Sequence, residues 1–415
     1  MPKSPHKPTE GRGRARATLL AIGPAFVAAI AYVDPGNVAA NLTAGARYGY
    51  LLLWVLIVAN AIAVLVQYQS AKLGLVTGQS LPELLGTRLR TGPRRVYWIQ
   101  AELVAAATDI AEVLGGAIAL HLLFGVPLLL GGIIVGVASM ALLVVQSRHG
   151  QRPFEVVIVT LLAVIVVGFM SGLIVSGLDP AEAVAGIVPR FEGADSVLLA
   201  TSMLGATVMP HVIYLHSALA RDRHGISDDP DRIRTLLRVT RWDVAAALFV
   251  AGAVNISMLL LAAASLRGLD GTDTIEGAHA AVVATLGPAV GVIFAVGLLA
   301  SGLASTSVGT YAGSAIMGGL LTLKVPLMVR RAITLVPALA LLAIGFDPTQ
   351  ALVLSQVVLS FGIPFALIPL VRYASSRTIM GDFANAPWLR WAGWMSAGAI
   401  SLLNVLLIIL VVTGG

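Results

Sequence analysis

Long apolar segments recur along the whole chain, separated by short polar loops. Most are close to or above the roughly 20 residues that a helix needs to cross a bilayer. They lack the ten-residue alternation that is typical of membrane barrels. The pattern therefore predicts an all-α integral membrane protein with eleven transmembrane helices. The spans are placed at residues 18–42, 50–70, 96–122, 127–146, 154–177, 196–220, 243–266, 280–317, 327–345, 349–372 and 391–412.

Two of these segments need comment. Residues 280–317 exceed the length of one crossing and could include a short amphipathic helix before the membrane, but they are treated as one span. The first residues are polar and rich in proline and glycine, so 1–17 is predicted to be a disordered cytoplasmic tail. The remainder, 18–415, is predicted to form a single transmembrane domain.

Composition supports a membrane location. The 415 residues are 57% hydrophobic and 12% charged, with a mean hydropathy of +0.89, which leaves too little polar surface to cover a soluble core. The chain has no cysteine, and this excludes disulfides, thiolate metal sites and iron–sulfur clusters. No obligate protein partner is indicated, and the lipid bilayer is the expected environment.

The charged residues fall on alternate loops. If the N-terminus is cytoplasmic, only Arg47, Arg190 and Arg267 of the 27 basic residues lie outside, as the positive-inside rule requires. The arrangement predicts a multi-pass protein of the bacterial inner (plasma) membrane with an extracytoplasmic C-terminus. The pI of about 9.8 is then a consequence of topology, and it gives no reason to expect nucleic-acid binding.

Two spans carry the same unusual sequence at membrane depth. The first contains Ala31-Tyr-Val-Asp-Pro-Gly-Asn37 and the sixth contains Ala206-Thr-Val-Met-Pro-His211. Proline removes a backbone donor and clashes with the carbonyl four residues before it. Both helices should therefore unwind just before Pro35 and Pro210. The alternative is a simple kink at each proline, but the neighbouring Asp34 favours a binding site, because an ionisable side chain in the bilayer costs about 2.5–3.5 kcal/mol.

The spacing of the two breaks predicts internal symmetry. The two sequences lie in the first and sixth spans, an odd offset of five, so the segments that begin at each break have opposite orientations in the membrane, as in inverted-repeat transporters. The repeats would cover about 18–177 and about 196–372, with an extra helix at about 391–412.

Residues at the breaks offer a mixed set of metal ligands. Asp34 supplies a carboxylate oxygen and Asn37 an amide oxygen, and the carbonyls of Ala31 and Ala206 could add two more. Met209 offers a thioether sulfur, although methionine is also a common gap filler in membrane helices. Oxygen together with sulfur suits softer transition metals better than Ca²⁺ or Mg²⁺.

These motifs resemble those of the Nramp family of proton-coupled divalent-metal transporters. The similarity covers nearly the whole chain, through Asp34-Pro-Gly-Asn37, Gln100-Ala-Glu102, Thr108-Asp-Ile-Ala-Glu112, Met209-Pro-His211 and Leu354-Ser-Gln356. It implies a LeuT-like fold with a 5+5 inverted repeat and unwound helices 1 and 6. It also implies that Gln356 binds the metal when the site faces outward. From the residue alone, Gln356 could equally bond to a neighbouring helix.

The third span contains three carboxylates on one helical face, Glu102, Asp109 and Glu112. The resemblance points to Arg330 and Arg331 as partners of Asp109 and Glu112. These groups could be ordinary ion pairs or part of a proton path, which intramembrane acids and histidines often form. Metal binding is expected to displace a proton from Asp34, with His211, Asp109 and Glu112 passing it inward. His216 is a further candidate, or a helix-to-helix hydrogen bond.

The predicted function is proton-coupled import of Mn²⁺ or Fe²⁺, and also Cd²⁺ or Co²⁺, by alternating access. The metal is the substrate and the proton the co-substrate, with no cofactor and no catalytic site. A sodium-coupled carrier of organic solutes on the same fold is the main alternative, and Asp34 and Met209 argue against it. The sequence contains no recognisable nucleophile or cofactor site, and this argues against a membrane enzyme. A passive ion channel remains possible from the sequence.

Overall fold

The structure, a computed structural model, describes residues 23–149, 151–272, 274–321 and 325–413. The tail predicted at 1–17 lies outside these residues. All regular structure in the described part of the chain is helical. The α-helices are α1 (Pro24–Ala31), α2 (Pro35–Tyr48), α3 (Leu53–Thr77), α4 (Leu81–Arg88), α5 (Thr91–Phe124), α6 (Leu128–His149), α7 (Gln151–Val175), α8 (Pro180–Ala185), α9 (Gly193–Thr207), α10 (Pro210–His224), α11 (Pro230–Ser265), α12 (Ile275–Leu286), α13 (Pro288–Leu321), α14 (Leu327–Ala343), α15 (Pro348–Ala374), α16 (Arg377–Met380) and α17 (Pro387–Thr413).

Seven helical stretches in the described residues are long and apolar enough to cross a membrane, when α9 and α10 are counted together. These are α3, α5, α9 with α10, α11, α13, α15 and α17. The other four predicted spans coincide with α1 and α2 together, α6, α7 and α14. Every predicted span thus has a helical counterpart, while the number of membrane crossings stays a prediction.

The eighth predicted span is two helices. Residues 280–317 were expected to form one helix, but α12 ends at Leu286 and α13 begins at Pro288. Gly287 between them has a φ of 95°, a left-handed conformation that favours glycine, and proline is well suited to the first turn of a helix. The other predicted spans differ mainly in length, since α11 begins 13 residues before the expected start at 243.

The two broken helices lie at the centre of the molecule. The first is formed by α1 and α2 and the second by α9 and α10. Helices α2 and α11 pack along each other, α9 packs on α15, and α10 packs on α3. Helices α5 and α13 share a long interface beside them. The residues at both breaks are consequently shielded on all sides by helices.

The loops gather at two opposite faces. The arginine-rich face includes Arg88, Arg221 and Arg223, and it is where α3 ends and α11 begins. The acidic face includes Asp179, Glu182, Asp195 and Asp347, and here Arg47 of α2 pairs with Asp195 of α9 at 3.0 Å. Helices α2 and α9 therefore run from the breaks to the acidic face, and α1 and α10 run to the arginine-rich face.

Candidate metal site

The first break lies between Ala31 and Pro35. Helix α1 ends at Ala31 and α2 begins at Pro35. Because proline has no N–H, the Ala31 carbonyl loses the partner that a continuous helix would supply four residues later. The next two carbonyls receive donors from neighbouring helices. The Asn255 side chain donates to the Tyr32 carbonyl at 2.7 Å, and the Ser301 hydroxyl donates to the Val33 carbonyl.

Asp34 caps the helix that follows this break. Its Oδ1 accepts the backbone N–H of Asn37 at 2.7 Å, which is the usual hydrogen bond of an N-cap carboxylate. The positive end of the α2 dipole also favours a negative charge at this position. The chain therefore holds a buried carboxylate at membrane depth through the local geometry of an N-cap.

The second break has a similar backbone but no such cap. Helix α9 ends at Thr207 and α10 begins at Pro210, with Met209 in the N-cap position and no side-chain cap. Pro210 leaves the Ala206 carbonyl without a helical donor, as Pro35 does for Ala31. The Asn37 Nδ2 donates to this carbonyl at 2.9 Å. A side chain from the first break thus takes the place of the missing amide at the second.

The amide of Asn37 connects the two breaks. Its Nδ2 donates both to the Ala206 carbonyl and to Asp34 Oδ1, the latter at 2.8 Å. Gln356 of α15 approaches from the third side, with its Nε2 3.4 Å from Asp34 Oδ2. The structure therefore brings Asp34, Asn37, Ala206 and Gln356 together around one point, in agreement with their grouping in the sequence analysis.

Two amide oxygens at this point have no partner. Asn37 Oδ1 and Gln356 Oε1 are buried and accept no hydrogen bond from the described residues. Buried polar atoms are almost always satisfied, so unpaired ones call for an explanation. All six predicted ligand residues are at most 2% exposed. The unpaired oxygens are therefore buried near a carboxylate, where a cation would find ligands.

Ala31 and Met209 complete the predicted set. Ala31 is the last residue of α1, and Met209 is fully buried next to Pro210. Within the described ranges no group of three or more His, Cys, Asp or Glu side chains could hold a metal ion. A metal bound at the breaks would therefore rely on one carboxylate together with neutral oxygens and a sulfur. Such a ligand set would carry a single negative charge, that of the carboxylate.

The acids of α5 pair with arginines of α14, but not entirely as expected. Arg331 is fully buried and its Nη1 lies 2.8 Å from Asp109 Oδ1, as predicted. Arg330 does not pair with Glu112. It makes two contacts to Glu102, at 2.8 and 3.0 Å. The reason is position along α14, because neighbouring residues on a helix point in different directions and reach different levels of α5.

Glu112 lies deepest among the three acids. It is 1% exposed, and its Oε2 has no hydrogen-bond partner in the described part of the chain. Thr306 of α13 is within hydrogen-bonding reach of both Glu112 and Arg331. Gly309 leaves room for the carboxylate, since a Cβ there would lie 3.0 Å from Glu112 Oε1.

The two histidines of α10 have different partners. His211 Nδ1 lies 3.3 Å from the Thr108 hydroxyl of α5, so it connects the second break to the helix that carries the acids. His216 Nδ1 lies 2.9 Å from Gln67 Oε1, and the Gln67 amide donates to the Tyr32 hydroxyl. The Nε2 atoms of both histidines are buried and have no partner among the described residues.

The sequence analysis assigned no role to several polar residues near the breaks. Gln67, Thr108 and Asn255 all contact broken-helix residues or their histidines. Asn255 is one of few polar residues in its apolar span, and that isolation was the available signal. Gln67 and Thr108 stand beside other polar residues, Gln69 and Asp109, so nothing in the sequence singles them out. Asp243 of α11 was also passed over. Its Oδ2 accepts the backbone N–H of Ala25 at 3.1 Å and so caps α1.

The site is closed toward both faces. A cleft of about 370 Å³ opens at the acidic face between α2, α9 and α15, and Thr43, Leu199 and Val353 line it. Val353 lies three residues before Gln356, so the cleft reaches to about one helical turn from the site. The Ser202 hydroxyl donates to the Val353 carbonyl at 3.2 Å and joins α9 to α15 at that level. Toward the arginine-rich face, α1 is held by Asp243.

Comparison with known proteins identifies close similarity over nearly the whole chain. The family model "Natural resistance-associated macrophage protein-like" (Nramp) matches residues 25–410. A protein named divalent metal cation transporter MntH from Mycobacterium tuberculosis (strain ATCC 25618 / H37Rv) is 61% identical over 393 residues, covering 95% of this chain and 92% of the relative. The MntH protein of Bacillus subtilis (strain 168) is 46% identical over 397 residues, covering 95% of this chain and 93% of the relative.

Solved structures agree with the fold. A crystal structure of the Eremococcus coleocola manganese transporter, in complex with an aromatic bis-isothiourea substituted compound, has a TM-score of 0.86 and 31% identity, and covers 96% of this chain and 88% of that one. The crystal structure of MhsT in complex with L-phenylalanine has a TM-score of 0.62 and 16% identity, covering 92% of this chain and 98% of that one. The second similarity concerns the fold alone, which is LeuT-like.

Proposed function

Since the chain belongs to the Nramp family and is a multi-pass membrane protein, we propose that it imports divalent transition-metal ions, Mn²⁺ or Fe²⁺ and also Cd²⁺ or Co²⁺, together with protons. The relatives named as divalent metal cation transporters and the manganese transporter of similar structure support metal as the substrate. The observation that carries the proposal is the pair of unpartnered oxygens, Asn37 Oδ1 and Gln356 Oε1, beside the Asp34 carboxylate.

The metal would be bound by both breaks. Asp34, Asn37, the carbonyls of Ala31 or Ala206, and Gln356 would supply oxygens, and Met209 a sulfur. To bind through its Oδ1, Asn37 would rotate its amide and give up the hydrogen bonds that its Nδ2 now makes. A thioether is a soft ligand that Ca²⁺ and Mg²⁺ do not favour. Met209 would therefore set the preference for transition metals.

Protons would use the polar groups that begin at the metal site. A bound divalent cation competes with a proton for Asp34, because a ligating carboxylate must be deprotonated. His211 would take part in proton transfer through its contact with the Thr108 hydroxyl on α5. The released proton would then pass to Asp109 and Glu112 and leave by the Glu102–Arg330 pair, with Arg331 holding Asp109. His216 would contribute to the proton path through its hydrogen bond with Gln67.

Transport would occur by alternating access. The acidic-face cleft would open when α2 and α9 move away from α15, and the arginine-rich face would open when α1 leaves Asp243. The arginine-rich face would be cytoplasmic, in keeping with the positive-inside rule. The N-terminus would then be cytoplasmic and the C-terminus extracytoplasmic, in the bacterial plasma membrane. Neither a cofactor nor an enzymatic step is needed for this cycle.

Metal uptake into proteoliposomes tests the proposal. Purified protein would be reconstituted, and uptake of Mn²⁺, Mg²⁺ and Ca²⁺ would be compared with and without an inward proton gradient. We expect saturable Mn²⁺ uptake that the gradient stimulates, and little uptake of Mg²⁺ or Ca²⁺. The Met209→Ala variant should admit Ca²⁺ or Mg²⁺ in competition with Mn²⁺.

Leu215→Ala is the matched control for this substitution. Leu215 is a fully buried, apolar residue of α10, so its truncation removes similar volume without removing a ligand. The Leu215→Ala variant should keep the selectivity of the unmodified chain for Mn²⁺ over Mg²⁺ and Ca²⁺. Absence of saturable Mn²⁺ uptake under both conditions would contradict the metal-transport proposal and favour an organic-solute carrier. Uptake that is indifferent to the gradient would contradict proton coupling alone.

A further inference from the structure

Two glycines hold Gln356 between the broken helices. Gly36 belongs to α2 and Gly205 to α9, and both face α15 at the level of Gln356. A Cβ built on Gly36 would lie 1.7 Å from Gln356 Nε2 and 2.4 Å from its Cδ. A Cβ built on Gly205 would lie 1.9 Å from the Gln356 carbonyl oxygen. Real Cβ atoms do not approach other atoms so closely, so any other residue at either position would displace the atoms of Gln356 that lie there.

The two glycines act on different parts of Gln356. The space beside Gly36 is filled by the end of the side chain, which can rotate away from an added methyl group. The space beside Gly205 is filled by the backbone of α15 at Gln356, with the Ser360 amide nitrogen at 2.8 Å from the same Cβ position. An added methyl group there would push two helices apart. Gly36 therefore controls where the amide lies, and Gly205 controls how closely α9 and α15 approach.

Helix stability does not explain glycine at position 36. Gly36 lies in the first turn of α2, where its conformation is helical and alanine would be the better helix former. Its φ is not among the positive values found in the chain. The close approach of the Gln356 amide is the feature that requires a missing side chain at this position.

We propose that Gly36 is a positioning residue that admits the Gln356 amide to its place over Asp34 and so closes the metal site on the acidic-face side. The inference rests on the proposed function, in which Gln356 is a ligand. With a methyl group at residue 36, Gln356 Nε2 and Oε1 cannot remain beside Asp34, although Asp34, Asn37 and Met209 keep their places. The effect of Gly36 on metal binding should then act only through the Gln356 side chain.

A double-mutant cycle tests this dependence. Equilibrium Mn²⁺ binding would be measured on the purified full chain and on Gly36→Ala, Gln356→Ala and the double variant. We expect Gly36→Ala to weaken Mn²⁺ binding about as much as Gln356→Ala does, by roughly tenfold, the range in which a lost supporting contact lowers metal affinity. In the Gln356→Ala background, Gly36→Ala should change the affinity by less than about twofold, since additive behaviour is lost when two sites share one interaction.

Gly205→Ala and Gly398→Ala are the controls. Gly205 meets the backbone of Gln356, so Gly205→Ala should weaken binding to the same extent with or without the Gln356 side chain. Gly398 of α17 has no atom within 4 Å of its Cβ position, and Gly398→Ala should leave binding unchanged. Equal weakening by Gly36→Ala in both backgrounds would overturn the proposal, because the methyl group would then be disturbing Asp34 or Asn37 directly.

A metal-free readout separates this inference from the proposed function. The structure of the Gly36→Ala variant would be determined without metal, and the Gln356 Nε2 to Asp34 Oδ2 separation compared with the 3.4 Å of the unmodified chain. We expect the amide to leave hydrogen-bonding distance. An amide that stays in place would overturn the inference even if Mn²⁺ is transported. An amide that moves in a protein that does not bind Mn²⁺ would support the positioning role and contradict the proposed substrate.

Discussion

The two broken helices have the same backbone interruption but satisfy it differently. At the first break, Asp34 caps α2, and Asn255 and Ser301 donate to the neighbouring carbonyls. At the second break, α10 has no side-chain cap. Among the described residues, Asn37 is the only side chain that donates to the carbonyls of residues 206–209. The first break is therefore held by its own surroundings, and the second depends on the first.

This difference indicates separate duties for the two halves of the site. The first break provides the charge and a fixed geometry, because its carboxylate and carbonyls are anchored by named donors. In the proposed metal site, the second break would provide the soft ligand Met209 and a carbonyl, that of Ala206, that can exchange its partner. Substitutions at the first break should consequently affect whether a metal binds, and substitutions at the second should affect which geometry and which metal are accepted.

The largest effect is expected at Asp34. Asp34→Asn keeps an oxygen that can cap α2 but removes the only carboxylate among the proposed ligands. Loss of a supporting group near a metal lowers affinity by about 10–100-fold, so removing the anionic ligand should lower Mn²⁺ uptake by at least about 100-fold. Proteoliposome uptake at saturating and limiting Mn²⁺ measures this.

Asp34→Ala separates charge from capping at the same position. Asp34→Ala should lower Mn²⁺ uptake as much as Asp34→Asn does. It should also lower the stability of the protein by about 0.5–2 kcal/mol, the value of an N-cap. Asp34→Asn should show little of this loss in a thermal unfolding assay. If Asp34→Asn transports Mn²⁺ within a few-fold of the unmodified chain, the contrast between the two breaks is wrong.

The second largest effect is expected at the prolines, where replacing Pro210 should lower Mn²⁺ affinity more than replacing Pro35. Pro210→Ala restores an N–H that can donate to the Ala206 carbonyl and join α9 to α10. We expect about a tenfold loss of Mn²⁺ affinity, which corresponds to roughly 1.4 kcal/mol, close to the net value of one hydrogen bond. Pro35→Ala should have a smaller effect, because the Asp34 cap and the donors from α11 and α13 maintain the first break. Calorimetric titration of both variants with Mn²⁺ compares them, and equal losses would remove the distinction.

Asn37 offers a test of the dependence between the breaks. Asn37→Ala leaves the Ala206 carbonyl buried without a donor, which costs about 1–3 kcal/mol. The thermal stability of the metal-free protein should fall accordingly. In a Pro210→Ala background the restored amide can replace the lost donor, so Asn37→Ala should then cost less. Independent, additive effects of the two substitutions would show that the Ala206 carbonyl is not the point of coupling.

The smallest effect concerns the far end of the first broken helix. Asp243→Ala removes the side-chain oxygen that caps α1, a change worth about 0.5–2 kcal/mol, and should favour release of α1. Because the chain has no cysteine, Val27→Cys would place a single thiol on a buried position of α1. Its labelling rate should rise by about 2-fold to 30-fold in Asp243→Ala. Asp243→Asn, which keeps a capping oxygen, should label slowly, and equal labelling in all three proteins would exclude Asp243 as an anchor.

Much of the architecture followed from local sequence. The paired Ala-x-Val-x-Pro sequences predicted both breaks at the prolines where they occur, because proline acts on its own helix and needs no tertiary information. The grouping of Asp34, Asn37 and Ala206 followed from the breaks facing each other. Gln356 was reached only through resemblance, since one polar residue in an apolar span does not reveal which helix it faces.

Other features depended on how helices pack and could not be obtained from spacing. The sequence placed Glu102, Asp109 and Glu112 on one face of α5, but the level of α14 against that face decides that Arg330 meets Glu102. The division of residues 280–317 at Gly287 was considered as a short amphipathic helix but not adopted, because hydropathy continues across the junction and only Gly287 and Pro288 interrupt it. Gln67 and Asp243 carry no motif, and their roles appear only when α3 and α11 are placed beside the breaks.

The bridging amide of Asn37 bears on how an unloaded transporter could return in the proposed cycle. A protein that works by alternating access must close over its site twice in each cycle, once loaded and once vacant. The Nδ2 hydrogens bond to two of the oxygens that are proposed as metal ligands, so these oxygens are buried away from water without the penalty of an unsatisfied polar group. In the proposed transport cycle, rotation of this one amide would exchange an internal hydrogen-bond donor for the metal ion, and it would allow the unloaded return step to pass through a closed state.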